Sequence, residues 1–398
     1  MTTLREHSGR PEPAGGCSPV IPLLGFASPA RWSCRFTHGQ ASVTLRADRT
    51  ELLTSAAATL YSYARTEAVA SRWTIELYTD VLLDRVAAEA LFASGAAQDI
   101  GPRLQARSIT MPGGRAFWIR DRATLVQLDH VSGVITVHCG DLDAGVFFAA
   151  RLVRQAMTAQ LLEHDAVYAH AAALVHDGRG LVIAGPKGAG KTTTLLSALR
   201  LVGGDFVTND RLLLRRDEGG GTVGYAWPMH LRATVDTLRA VPGMRRFLPR
   251  EDDNTPAGPA APVGKVAVEP DELRLVLPTV RILGEVRPAL MVWPYRSSHD
   301  ATPEPVSVAE VREVLVRTGF FMHDPTTKIT SHRNHWLLPA EDAGRSAASL
   351  AAVVDLLAGT VPCVRVAVTD CTAALARHVS ALLGQLQPAT TVRPVASR

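Results

Sequence analysis

The chain has 398 residues, 46% of them hydrophobic and 20% charged, ordinary values for a globular protein with room for two domains. Lys and Arg number 42 against 38 Asp and Glu, a net charge of +4 with no block of like charge, so no nucleic-acid or membrane surface is expected. The five cysteines include no C-x-x-C pair, no apolar run reaches transmembrane length, and the N-terminus lacks a signal layout; reduced thiols and a cytoplasmic location are the expectation.

Residues 1–28, rich in Pro, Gly and Ser without a period, read as a loosely held tail. Residues 29–164 read as an N-terminal α+β accessory domain that would recognise the substrate. Within it, 35–47 alternates like one or two strands. The segment 51–64 carries Leu52, Leu53, Ala56, Leu60 and Tyr63 at helical spacing, and 73–78 is a short strand. Residues 104–120 and 123–139 look like strand pairs broken at Pro112-Gly113-Gly114 and Ser132-Gly133. A long helix over 145–163 closes the region, which shows no catalytic constellation.

A second unit spans 165–390. Residues 167–175 predict one strand, and His176-Asp177-Gly178-Arg179-Gly180 a hairpin turn into the apolar run ending at Ala184. Then come Gly185, Pro186, Lys187, Gly188, Ala189, Gly190, Lys191 and Thr192, which fit G-x-x-x-x-G-K-[ST] at every fixed position, followed by Thr193 and a Leu/Ala-rich helical run. A strand before such a loop and a helix after it are the context in which backbone amides and the helix dipole hold a phosphate. A nucleoside triphosphate is therefore the expected ligand, with Lys191 reaching its β- and γ-phosphates and Thr192 offering a hydroxyl to Mg2+. Beyond the helix, an apolar segment ends in Asn209-Asp210-Arg211, where nucleotide enzymes place a metal-side carboxylate. Residues 251–264, rich in Pro and Gly, read as a disordered connection or a mobile lid, with Lys265 just beyond it. A strand is expected over 286–293, helices over 308–318 and 346–358, then a strand over 362–369 and a helix over 373–386.

The chain has no S-G-G-Q, no apolar strand ending in Asp-Glu and no N-K-x-D, so the transporter, hydrolytic and GTP-reading patterns are missing. It has His170, fifteen residues ahead of Gly185, a hairpin, the loop, and then Asn209-Asp210. That order resembles the HPr kinase/phosphorylase family over roughly residues 165–300. The resemblance implies an α/β fold with a phosphate-loop kinase domain of the HPr kinase/PEP carboxykinase-like type. It also implies ATP and Mg2+ as cofactors, and transfer of the γ-phosphate to a hydroxyl on a serine of a peptide or protein or on a small metabolite.

The loop 185–193 would hold the nucleotide, Thr192 and Asp210 with Asn209 would face the metal, and His170, Lys191, Asp210 and Arg232 would act on the transferred group. The family carries two adjacent aspartates, the first a base. Here the first position is Asn209, whose amide takes no proton at neutral pH, so His170 or Asp210 would orient or deprotonate the acceptor. The HPr-specific stretch after this motif is missing, so HPr itself is not the expected acceptor. Family members often assemble into rings, which leaves a homo-oligomer open. An ATP-binding or hydrolysing regulatory switch is the alternative that Asn209 favours.

Overall fold

The computed structural model describes residues 5–6, 30–60, 71–79, 83–101, 104–227, 229–248, 264–317, 320–321, 343–369 and 371–386. Nearly all of the expected tail, residues 251–263 of the expected lid, Tyr63 and Pro228 lie outside them. The described chain is mixed α/β and falls into two units, one up to His164 and one from Asp165 onward. Among the described residues no helix is long and apolar enough to cross a membrane.

The first unit holds β1 (Arg5–Glu6), β2 (Trp32–His38), β3 (Ala41–Ala47), α1 (Thr50–Leu60), β4 (Trp73–Tyr78), α2 (Arg85–Leu91), β5 (Ala96–Gly101), β6 (Leu104–Met111), β7 (Gly114–Ile119), β8 (Thr124–Asp129), β9 (Val134–Cys139) and α3 (Leu142–Glu163). One sheet runs β1-β2-β3-β4-β9-β8-β7-β6-β5. Its period-2 pattern decides the faces. Trp73, Ile75 and Leu77 of β4 are buried, while Thr74, Glu76 and Tyr78 look the other way. Helix α1 buries Leu52, Leu53, Ala56 and Leu60, and α3 starts where Asp141 accepts the Ala144 amide at 2.7 Å. Across part of the sheet, Ala88 and Phe92 of the α2 segment cluster with Ala116, Trp118 and Leu125. On β9, His138 stacks on Tyr78, ring centroids 5.3 Å apart, and burial pushes its pKa down to about 4.

The second unit holds β10 (Val167–Ala169), β11 (Ala172–His176), β12 (Arg179–Ile183), α4 (Lys191–Leu201), β13 (Asp205–Thr208), β14 (Leu212–Arg216), β15 (Thr222–Ala226), β16 (Leu231–Thr234), α5 (Val235–Ala240), β17 (Lys265–Val268), β18 (Glu285–Val286), β19 (Pro288–Arg296), β20 (Glu304–Pro305), α6 (Val308–Arg317), α7 (Ala343–Thr360), β21 (Cys363–Val368) and α8 (Thr372–Gln385). A six-stranded mixed sheet runs β13-β11-β12-β19-β21-β20; a four-stranded antiparallel sheet runs β10-β14-β15-β18; β16 and β17 pair by themselves. Strand β12 lies parallel to β19, which lies parallel to β21. Continuous apolar runs suit strands covered on both faces. Leu181, Ile183 and Val292 join Leu195 and Leu199 of α4 and Leu375 and Val379 of α8 in one core.

The strand expected over 167–175 is two strands in two sheets. Ala169 pairs with Leu212 on β14, whereas Ala173 pairs with Thr208 on β13. Between them the chain crosses from one sheet to the other at His170-Ala171, where the His170 amide donates to Phe320 O at 2.6 Å. The apolar run hides this break, because both halves are buried on both faces. The expected strand over 286–293 likewise divides between β18 and β19, again in different sheets.

Candidate functional site

The two sheets exchange chain twice at one place. One crossing is His170-Ala171; the other is Asn209-Asp210-Arg211, between β13 and β14. The registers Ala169–Leu212 and Ala173–Thr208 set the two crossings opposite each other. A histidine and a carboxylate forty residues apart in sequence thereby meet: His170 Nε2 lies 3.0 Å from Asp210 Oδ1. The second crossing is a tight turn in which Thr208 Oγ1 donates to Arg211 O at 2.8 Å.

Arg211 fixes the carboxylate from the other side. Its Nε donates to Asp210 Oδ2 at 3.2 Å and its Nη1 to the hydroxyl of Tyr168 at 2.8 Å. Tyr168 is fully buried and stands edge-on to Trp227. Burial alone would raise Asp210, but the His170 hydrogen bond and the Arg211 charge outweigh it and hold the carboxyl well below the usual carboxylate range. An ionised carboxylate only accepts, so the His170 Nε2 facing Asp210 carries a proton. Among the described residues Nδ1 has no hydrogen-bond partner.

The glycine loop follows β12. Its backbone is left-handed at Gly188 (φ 87°) and Gly190 (φ 105°), a conformation that side chains resist. A Cβ on Gly190 would stand 3.1 Å from both methyls of Val368, at the end of β21, while one on Gly188 would meet nothing within 4 Å. Among the loop amides, Ala189 donates to Pro186 O, a turn inside the loop. The first-turn amides of α4 have no intrahelical partner and face outward from the helix start, an arrangement suited to an anion.

Lys191 is buried, and its Nζ arches back over the loop to Gly185 O (2.7 Å) and Pro186 O (3.2 Å). Burial lowers its pKa; Asp210 opposes that and the positive charge of Lys265 reinforces it. Thr192 Oγ1 donates to Asn209 Oδ1 at 3.1 Å. The oxygen beside the loop threonine is thus that of the amide, and Asp210 is committed to His170 and Arg211. Pro186, Lys187 and Gly188 are exposed, and the Thr193 hydroxyl pairs with Thr237 on α5 at 3.0 Å.

Arg232 lies on β16, whose carbonyl at that residue accepts from Asn209 Nδ2 at 3.4 Å. Burial lowers its guanidinium, partly offset by Asp210. Lys265 belongs to β17 and pairs across to Thr234, so it is a strand residue rather than part of a lid. Two residues escaped the sequence reading. Tyr168 anchors Arg211, and Arg296 donates from its Nε to Gly188 O at 3.2 Å. Arg296 ends a strand parallel to the one feeding the loop, and the carboxyl ends of such strands are where ligands gather, which is the signal that could have found it.

Among the described residues there is no group of three or more His, Cys, Asp or Glu that could hold a metal ion. The donors at hand are the Thr192 hydroxyl, the Asn209 amide oxygen and the Asp210 carboxylate. These hard oxygens suit Mg2+, which binds through few protein groups together with phosphate oxygens and water.

No protein-family model matches the chain, and no curated protein matches it. Among solved structures, the Hpr(Ser) kinase/phosphatase from Coxiella burnetii is similar over 33% of this chain and 59% of that one, at 18% sequence identity and a TM-score of 0.20. This chain therefore spans less than two thirds of the length of that kinase/phosphatase, and a likeness of that size carries no argument about the site.

Proposed function

We propose that the second unit is a phosphotransferase that moves the γ-phosphate of ATP, bound with Mg2+, to a hydroxyl on a peptide, protein or small metabolite. The observation that carries this reading is the meeting of the two sheet crossings at the threonine of the glycine loop. An anion-ready helix start, an oxygen-donor pair at Thr192 and Asn209, and a carboxylate-oriented histidine share one place. Each has a part in phosphoryl transfer, which is chiefly positioning and charge neutralisation.

In this reading the loop amides and Lys191 hold the β- and γ-phosphates, the amine exchanging the carbonyls of Gly185 and Pro186 for phosphate oxygens. Thr192 and Asn209, with Asp210 adjacent, would hold Mg2+, which supplies charge neutralisation across the phosphates when bound. His170 Nδ1 accepts the hydroxyl proton, and Asp210 keeps the ring in the tautomer that leaves Nδ1 free to do so. The acceptor oxygen bonds to the γ-phosphorus as its bond to the β–γ bridging oxygen breaks, and ADP leaves with that electron pair.

The test is γ-labelled ATP with Mg2+ and a lysate or candidate acceptors, with label and free phosphate followed separately. Label moving to a discrete acceptor, and its loss in His170→Ala, supports the reading; tight ATP binding with no transfer sinks it. One observation favours a second reading, a nucleotide-operated switch without a specific acceptor: the group beside Thr192 is the neutral amide of Asn209. Free phosphate alone, or binding without turnover, is its signature.

A further inference from the structure

The reading above leaves two cations at the site unused. They stand on the two-stranded β16–β17 sheet, whose alternation is clean. Leu231, Ala233 and Val268 are buried and Val266 is packed against the core, while Arg232, Thr234, Lys265 and Ala267 occupy the opposite face. Thr234 is the register partner of Lys265, and Arg232 is two residues from Thr234, so both cations lie on that second face. This strand pair is held against the site by the Asn209 Nδ2 contact to Arg232 O.

Neither cation has a carboxylate within ion-pair distance among the described residues, and the buried Nε of Arg232 has no hydrogen-bond partner. A buried guanidinium N–H without an acceptor is costly, and burial and Asp210 act on it in opposite directions. Lys265 is near enough to Lys191 to act on its charge, and Arg232 to feel both Asp210 and Arg211. Two carboxylates adjoin the strand pair: Asp210 is already engaged by His170 and Arg211, and Glu269, which follows Val268, by His230. The local field is thus positive beyond what Lys191 contributes.

We infer that Arg232 and Lys265 form a second anion subsite beside the glycine loop, and that the acceptor is a hydroxyl compound bearing its own phosphate monoester. This rests on the phosphotransferase reading and deepens it. A planar guanidinium with an unused N–H binds phosphate oxygens through two bonds, and an ammonium adds a point charge. Two cations match the dianion of a phosphate monoester. An acceptor held this way presents its hydroxyl to His170 while the nucleotide occupies the loop.

The experiment titrates inorganic phosphate, at constant ionic strength, into full-length protein saturated with the non-hydrolysable analogue AMP-PNP and Mg2+. With the loop occupied, phosphate is expected to bind at one equivalent. Arg232→Gln and Lys265→Gln should each weaken it at least tenfold and together abolish it, with AMP-PNP affinity changed less than threefold and thermal melting confirming the fold. Parallel loss of AMP-PNP binding in the variants would assign these cations to the γ-phosphate and overturn the inference, as would phosphate binding that is missing or indifferent to both substitutions. Phosphate binding that depends on these cations in a protein unable to bind AMP-PNP would keep the subsite and defeat the nucleotide reading instead.

Discussion

Gly190→Ala is the sharpest perturbation of the loop. The residue sits at φ 105°, and a side chain in left-handed backbone costs about 1–2 kcal/mol. The new methyl would stand 3.1 Å from both Cγ atoms of Val368, and forcing it into that packed contact adds about 1–3 kcal/mol. Gly188→Ala is the internal control: it has φ 87° but open space around the missing Cβ, so it should cost the backbone share alone. Chemical unfolding measures both, and calorimetric titration with ATP and Mg2+ reports what the displaced loop does to binding. Val368→Ala in the Gly190→Ala background should return the packing share and leave the backbone share, which a double-mutant cycle separates. Equal costs for the two glycine substitutions, or no rescue by the smaller residue at 368, would refute the argument that the last glycine is fitted to the end of β21.

Lys191→Met should lower ATP affinity about 10- to 150-fold in calorimetry, the scale of a lost charged hydrogen-bond donor at about 1.5–3 kcal/mol, with the melting temperature little changed. His138→Phe should flatten the acid limb of stability. His138 is neutral in the fold down to about pH 4 but protonates near 6.5 when unfolded, so its contribution is full above 6.5 and falls by up to about 3 kcal/mol as the pH drops toward 4. Urea midpoints at pH 7 and 4.5 for both proteins check the sign. Asp205→Ala should cost about 1.5–3 kcal/mol by equilibrium unfolding, because Asp205 accepts from both the backbone amide and the guanidinium of Arg281 and so ties β13 to that segment.

What could be read in advance was local. The glycine loop shows in one stretch because its amides, lysine and threonine come from consecutive residues. The strand at 73–78 shows because its alternation marks a sheet with one buried face. The mixed α/β class follows from such segments. The crossing at His170 was hidden: β10 and most of β11 are buried apolar runs, and only their distant partners β14 and β13 reveal that they belong to different sheets. The β16–β17 pair was missed for a similar reason, its two four-residue strands being joined by pairing rather than by a short turn. Helix α2 was missed because Val86 points to solvent and so blurs the apolar face. That Asn209 stands beside Thr192 while Asp210 faces His170 and Arg211 turns on which way two adjacent side chains point, and sequence order does not record that.

The contact between Gly190 and Val368 also sets a timetable. The loop is made before the strand that walls its last glycine, and before α8, which packs into the same core as α4. Parallel pairing of β12, β19 and β21 joins segments far apart along the chain, the kind of contact that forms slowly. A chain still being translated would therefore carry every residue of the phosphate motif and yet hold no finished cradle. The finished loop becomes a property of the completed second unit, and a ribosome-bound fragment ending before Cys363 would lack the wall that Val368 sets against Gly190.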